Sequence, residues 1–459
     1  MLTNNFVYGN ILETIGNTPI VEVKNLGTGK CRLFLKLENQ NPGGSIKDRI
    51  GLSMIRAAEV SGKLKPGGTI IEATAGNTGI GLALVAQMKG YKIILVIPDK
   101  MSQEKINHLR ALGAELIITR SDVGKGHPEY YQDLALRIAS ETGAFYVNQF
   151  ENPANPLAHE TTTGPEIWEQ MDHDIDAIVV GVGSSGTITG LSHFFKKVSD
   201  KVEMVLADPE GSVLAEYINT GKIISEAGSW LVEGIGEDFI PSICDFSLTK
   251  RAYTISDKES FDTVRDLLRK EGILAGSSSG TLICAALKYC REQTTSKRVL
   301  TFVCDSGNKY LSKMYNDYWL LDQGLYKRNQ YGDLRDIISR RYEDNATVIV
   351  NPQDTLNTVY CRMKLYDISQ IPVLAENKVI GIVDESDLLI ALHSKSHGLN
   401  SKIEEIMTKD LKIIKSSESV DSLVNILNAG LVAIVEDENG VFQGLITKID
   451  LINYLRDEK

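Results

Sequence analysis

The sequence predicts an α/β protein: a mostly parallel, helix-covered sheet followed by a smaller, internally repeated module. Three observations carry this reading. Short apolar runs alternate with helical segments from Lys30 to about Thr301. Glycine- and serine-rich turns sit where several of those runs give way to helices. Beyond Asp333 one pattern of elements occurs twice.

The elements follow in order. Thr69 to Glu72 reads as a strand, turning through Gly76-Asn77-Thr78-Gly79 into a helix that reaches Met88. Lys92 to Ile97 is the next strand, and Ser102 is placed to cap a helix ending near Leu112. Residues 115–119, 144–148, 176–182, 202–207 and 298–303 repeat the strand theme, with helical stretches between. Such alternation implies right-handed crossovers and a parallel sheet with ligands beyond the carboxyl ends of its strands. A polar, turn-like break falls at 322–333. After it, 371–374, 379–383 and 387–389 form one strand–turn–strand–helix unit, and 431–435, 442–446 and 450–452 a second. Two such units are expected to pack on each other, since neither buries enough surface alone.

Composition narrows the function. With 42% hydrophobic and 24% charged residues, the chain reads as a soluble globular protein. A net charge of -11 argues against general nucleic-acid or anionic-membrane binding, so an anionic cofactor must be held by local geometry. The six cysteines are scattered without a C-x-x-C pair, which argues against a disulfide framework or a cysteine zinc site. The N-terminus lacks the basic start and apolar run of a signal peptide, and the apolar runs are of strand length, so a cytoplasmic location is expected.

Four segments stand out chemically. Asn41-Pro42-Gly43-Gly44-Ser45-Ile46-Lys47-Asp48-Arg49 places Lys47 at the start of a helix running to Val60, with Ser45 as its expected N-cap. Most lysines are solvated surface residues, but a positive helix end disfavours a cation and favours the neutral amine that Schiff-base chemistry needs. Thr74-Ala75-Gly76-Asn77-Thr78-Gly79 is either a tight strand-to-helix turn or a carboxylate cradle at a helix N-terminus. Gly181 to Thr187 resembles a phosphate nest, since small residues let successive amides and hydroxyls approach a dianion; it lacks the lysine of a P-loop. Gly276-Ser277-Ser278-Ser279-Gly280 reads as a structured turn before a helix, a flexible linker being the alternative.

Together these segments resemble the fold-type II pyridoxal-phosphate family, specifically its cysteine synthase/cystathionine β-synthase group, over roughly Asn10 to Leu325. Asp208 to Ser212, Glu233 to Pro241 and Asp305 to Tyr310 lean to the cystathionine β-synthase side, whereas Gln149 to Pro156 and Thr162 to Trp168 lean to cysteine synthase. The C-terminal repeats resemble tandem CBS (Bateman) domains. The resemblance implies a tryptophan-synthase-β-like fold of two parallel-sheet subdomains, divided as 1–325 catalytic, 326–336 linker, 337–395 and 396–459 CBS domains. It implies pyridoxal 5′-phosphate as cofactor and a β-replacement joining L-serine and L-homocysteine to L-cystathionine and water, with hydrogen sulfide as a further possible product. The alternative is cysteine synthase acting on O-acetylserine and sulfide. A silent sensor with a scaffold-only enzyme domain is set aside because Lys47, Asn77 and Ser278 are all retained.

Residue by residue, the resemblance makes Lys47 the Schiff-base lysine and proton shuttle, and Asn77 the partner of the cofactor's 3′-oxygen. Gly183, Ser184, Ser185, Gly186 and Thr187 would hold the phosphate and Ser278 the pyridine nitrogen, which a serine leaves unprotonated. Thr74, Ala75, Thr78 and Gln149 would receive the substrate carboxylate. Three departures are visible: Ala75 replaces a serine, Phe150 a tyrosine of the animal enzymes, and Ser185 a glycine, a strained exchange if φ is positive there. The haem segment of the animal enzymes has no counterpart before Ile11, so no haem is expected. In the repeats, Gln370, Ile371, Thr447 and Asp450 align with an adenosine-binding pattern, although Thr447 and Asp450 equally suit a helix cap. Asp384 and Asp387 at the matching first-repeat positions favour cationic S-adenosylmethionine over ATP. A homodimer or higher homo-oligomer is expected, with no nucleic-acid or membrane partner.

Overall fold

The computed structural model describes residues 7–74, 76–99, 101–124 and 126–457. The chain divides into two compact units, 1–316 and 317–459.

Among the described residues the first unit carries ten strands: β1 (Ile20–Glu22), β2 (Arg32–Leu37), β3 (Thr69–Ala73), β4 (Lys92–Pro98), β5 (Glu115–Thr119), β6 (Phe145–Tyr146), β7 (Ala177–Gly181), β8 (Glu203–Pro209), β9 (Thr249–Ile255) and β10 (Arg298–Val303). Its helices are α1 (Lys47–Val60), α2 (Asn77–Lys89), α3 (Gln103–Ala111), α4 (Tyr131–Thr142), α5 (Ala154–Ala158), α6 (Gly164–Gln170), α7 (Gly186–Val198), α8 (Leu214–Thr220), α9 (Asp257–Glu271) and α10 (Ser277–Glu292). The strands form two sheets, in the orders β1-β2-β10-β7-β8-β9 and β5-β4-β3-β6. Only β1 pairs antiparallel; all other pairings in these sheets are parallel.

Alternation therefore places the strands well but not their partners. Lys47 follows a strand of the larger sheet, Asn77 one of the smaller and Gly183 again one of the larger, so the motif loops belong to two sheets, as the two-subdomain resemblance implies, and not to the one sheet that alternation alone suggests. The long-range step is the pairing of β10 with β2, Arg298 to Val303 against Arg32 to Leu37. β10 is largely apolar on both faces, with Val299 and Leu300 fully buried, as expected where helices cover a parallel sheet on each side; β2 buries Leu33 and Leu35 on one face and Lys36, paired with Glu166, on the other.

Cap chemistry sets the helix starts. Ser102 caps α3 as expected, accepting from Lys105 N at 3.4 Å. Ser45 does not cap α1: the helix begins at Lys47, Ile46 is the cap residue, and the Ser45 hydroxyl instead accepts from Lys47 N at 3.2 Å. The three serines after Gly276 lie inside the first turn of α10 rather than in a turn before it.

In the second unit, α11 (Asp317–Asp322) is followed by two repeats. The first contains α12 (Leu356–Tyr366), β11 (Gln370–Ala375), β12 (Lys378–Asp384) and α13 (Glu385–His393). The second contains β13 (Ile413–Lys415), α14 (Val420–Asn428), β14 (Ala433–Glu436), β15 (Phe442–Ile446) and α15 (Lys448–Asp457). Each strand–turn–strand–helix unit is present, preceded by a helix the alternation does not reveal but which Thr355 or Ser419 caps. Leu374 and Val379 of the first repeat share an apolar cluster with Ile434 and Phe442 of the second, which is the physical reason the repeats come as a pair.

Candidate active site

Lys47 opens α1 and is half-buried. Burial draws its amine below the ordinary lysine value, against the opposing pull of Cys304, Glu237 and Asp305. Desolvation is thus the main influence favouring the uncharged form of this amine. Those neighbours connect the other expected residues to it. Asp305 Oδ2 accepts from Asn77 Nδ2 at 2.7 Å and from the Tyr310 hydroxyl at 2.7 Å. Lys309 Nζ donates to Asn77 Oδ1 at 2.9 Å and to the carbonyls of Gly43 and Gly44 at 3.0 and 3.2 Å. Burial lowers Lys309 to about 8. Behind them Lys105 Nζ donates to the Tyr310 hydroxyl at 2.9 Å and pairs with Glu233 at 2.5 Å. Cys304 is pushed up to about 12 by burial, which outweighs the lowering influence of the neighbouring Ser278 hydroxyl, while Ser279 Oγ accepts from Cys304 N at 2.9 Å.

Beside Asn77, the Thr78 hydroxyl donates to Gln149 Oε1 at 2.8 Å, and Thr74 Oγ1 accepts from Gly76 N at 3.2 Å. Ala75 lies outside the described residues. Gln149 N reaches Glu72 Oε1 at 3.4 Å, and burial raises the Glu72 carboxyl to about 8, so a neutral acid backs this turn.

The Gly183-to-Thr187 segment runs into the first turn of α7, whose N–H groups have no acceptor within the helix. Ser185 stands at φ 64°, the left-handed conformation that makes serine there a strained choice. A Cβ on Gly186 would sit 1.8 Å from Asn155 Oδ1, so no other residue fits that position. Asn155 Nδ2 donates both to Ser184 Oγ at 3.0 Å and to Gln149 O at 2.7 Å, tying this loop to the Thr78–Gln149 turn. Thr187 Oγ1 lies 3.3 Å from His159 Nε2.

This donor set fits a phosphorylated pyridine aldehyde. The buried Ser185 hydroxyl makes no geometrically sound hydrogen bond among the described residues, with a weak hydrogen-bonding group, the Cys244 thiol, beside it. A buried, unpartnered hydroxyl at a helix N-terminus suits an external anion. A desolvated lysine, an amide and a serine hydroxyl complete the groups that an aldehyde, a ring oxygen and a ring nitrogen require.

Asn155, Asp305, Lys309 and Tyr310 fall within the segments that carry the resemblance, but nothing in the sequence gives them a role. His159 and Cys304 lie outside those segments and act through neighbours distant in sequence. In the second unit Ile371 is fully buried, which leaves only its backbone, paired with Val383, for a ligand. Gln370 opens β11 opposite Asp384. Thr447 N and Oγ1 both donate to Asp450 Oδ2, at 2.7 and 2.5 Å, which is a helix-cap arrangement.

Fold and site together define a pyridoxal-phosphate-dependent enzyme with an appended CBS pair. The chain belongs to the pyridoxal-phosphate dependent enzyme family, whose model matches residues 11–305, and CBS domains match at 334–394 and 403–457. It is 38% identical to a cystathionine beta-synthase of Dictyostelium discoideum over 98% of this chain and 92% of that one. It is 36% identical to that of Saccharomyces cerevisiae, over 97% of each chain. Among solved structures it resembles an O-acetylserine dependent cystathionine beta-synthase from Helicobacter pylori, with 37% identity and a TM-score of 0.62, covering 67% of this chain and 98% of that one. Among the described residues, no helix is long and apolar enough to cross a membrane.

Proposed function

We propose that this chain is a cystathionine β-synthase, replacing the β-hydroxyl of L-serine with L-homocysteine to give L-cystathionine and water. The observation that carries the chemistry is the desolvated Lys47 amine. It stands beside Ile46, whose N–H donates to Cys304 O at 2.9 Å, and next in the chain to Cys304 is Asp305, which binds Asn77. The near full-length likeness to cystathionine beta-synthases, including the CBS pair, supports this choice of substrates.

Bound pyridoxal phosphate supplies an electron sink that lets an amino acid lose its α-proton and β-substituent. Lys47 tethers the cofactor and takes that proton. Since hydroxide leaves only with a proton, the protonated Lys47 amine is the group that supplies it. Asn77 orients the cofactor through its amide, held by Asp305 and Lys309. The Gly183-to-Thr187 segment holds the phosphate. Ser278 faces the ring nitrogen, and its neutral hydroxyl keeps the sink moderate. Thr74, Thr78 and Gln149 receive the substrate carboxylate.

O-acetylserine as the first substrate is the second reading, favoured by the likeness to the O-acetylserine dependent enzyme. A product assay offering serine or O-acetylserine against homocysteine or sulfide decides between them. Cystathionine from serine is expected; turnover only with O-acetylserine and sulfide would make the protein a cysteine synthase. For the second unit, the reading is one S-adenosylmethionine per chain, with Asp450 on the ribose hydroxyls and Gln370 and the Ile371 backbone near the adenine. A carboxylate accepts from both hydroxyls of a ribose, and such charge-assisted bonds are strong.

A further inference from the structure

We infer that His159 is a positioning residue for the cofactor phosphate, acting through Thr187. The inference rests on the reading of the Gly183-to-Thr187 segment as the phosphate site. His159 opens a π-helical turn, His159–Thr163, between α5 and α6, and is 1% exposed. Its Nδ1 lies 2.9 Å from Thr163 Oγ1 and its Nε2 3.3 Å from Thr187 Oγ1. The imidazole thus stands between two buried hydroxyls, the second of them in the first turn of α7. The contact is built into the packing: a Cβ on Gly190 of α7 would lie 2.7 Å from His159 Cβ, so only glycine lets the helix come this close.

A ring in this place can take two tautomers. With the proton on Nδ1, Nε2 accepts the Thr187 hydroxyl proton, and only the hydroxyl's lone pairs are left to face an anion. With the proton on Nε2, the ring donates to Thr187, and the hydroxyl proton is free to point at the phosphate. Thr163 then completes the chain by donating to Nδ1. A dianion beside Thr187 stabilises the second arrangement, because a lone pair turned toward it is repelled. Burial above all, with the Arg49 charge acting in the same sense, holds the imidazole well below its usual pKa, in the neutral state that this donor–acceptor chain needs.

The test compares pyridoxal 5′-phosphate with pyridoxal, which lacks the phosphate, by equilibrium binding to apoprotein. His159→Met is expected to weaken binding of the phosphorylated cofactor about tenfold, in line with one hydrogen bond to a charged group, and to leave pyridoxal unchanged. His159→Gln, which can present an amide N–H near the Nε2 position, should recover most of the loss. Equal weakening of both ligands, or no weakening of either, would overturn the inference. Thr187→Val separates it from the reading beneath: if that variant binds the phosphorylated cofactor normally, the phosphate site itself is wrongly assigned. Nitrogen NMR of the His159 ring in the unmutated holoprotein checks the same point without a substitution. A proton on Nε2 is expected, and a proton on Nδ1 would overturn the inference.

Discussion

Asn77 and Asp305 are joined side chain to side chain at 2.7 Å, although one follows a strand of the smaller sheet and the other a strand of the larger. The bond links loops of the two sheets and fixes the amide assigned to the cofactor. Asp305 is fully buried and shares the same oxygen with Tyr310. Asp305→Ala strands two donors at once, the buried Tyr310 hydroxyl and the half-buried Asn77 amide, so a loss of roughly 2–3 kcal/mol in unfolding free energy is expected by urea denaturation. Cofactor affinity should fall with it. A stable variant with unchanged affinity would show that the bond orients nothing.

Lys47→Ala is expected to abolish turnover, because both the tether and the proton carrier disappear. Borohydride reduction of the unmutated holoprotein, followed by peptide mapping, should put the pyridoxyl label on Lys47. Label on another lysine would end the assignment.

Glu72 makes stability depend on pH. Its carboxyl is raised from 4.5 to about 8 by burial, so between those values the folded state holds a proton that the unfolded state has lost. Stability from this group is therefore present below the unfolded value and declines as pH rises, by up to roughly 1.4 kcal/mol per pH unit, levelling off above about 8. Asp48, raised to about 7, acts in the same sense. Glu72→Gln removes the Glu72 share, so its stability relative to the parent should climb from pH 5 to pH 8. Urea midpoints that run parallel across that range would refute the protonated state.

A chain ending near Arg328 should be soluble, yellow and active, since β10 closes the larger sheet well before that point. Visible absorbance and the product assay check this. An insoluble or colourless product would mean that the catalytic unit depends on the repeats.

Asp450→Ala should lose S-adenosylmethionine binding in calorimetry on the intact protein. Because Asp450 also holds Thr447 at the start of α15, thermal stability of the variant must be measured beside it. Equal binding by parent and variant, or none by either, would leave the residue as a cap alone.

Local sequence determined a good deal of this protein. Periodicity marked most strands of the first unit and both C-terminal hairpins, because a side chain's repeat distance depends only on its own strand or helix. Glycine, serine and lysine in short motifs marked Lys47, Asn77, Gly183 to Thr187 and Ser278, because close approach to a ligand restricts residue type within a few positions. Tertiary structure alone decided which strands pair, and so which sheet carries each loop, since the pairing of β2 with β10 leaves no periodic trace. It alone decided which polar groups support the motifs. Asn155 between Ser184 and Gln149, His159 against Thr187 and Asp305 on Asn77 are ordinary residues until folding buries them together. Their roles come from desolvation and from partners supplied by other elements, and neither quantity exists in an unfolded chain.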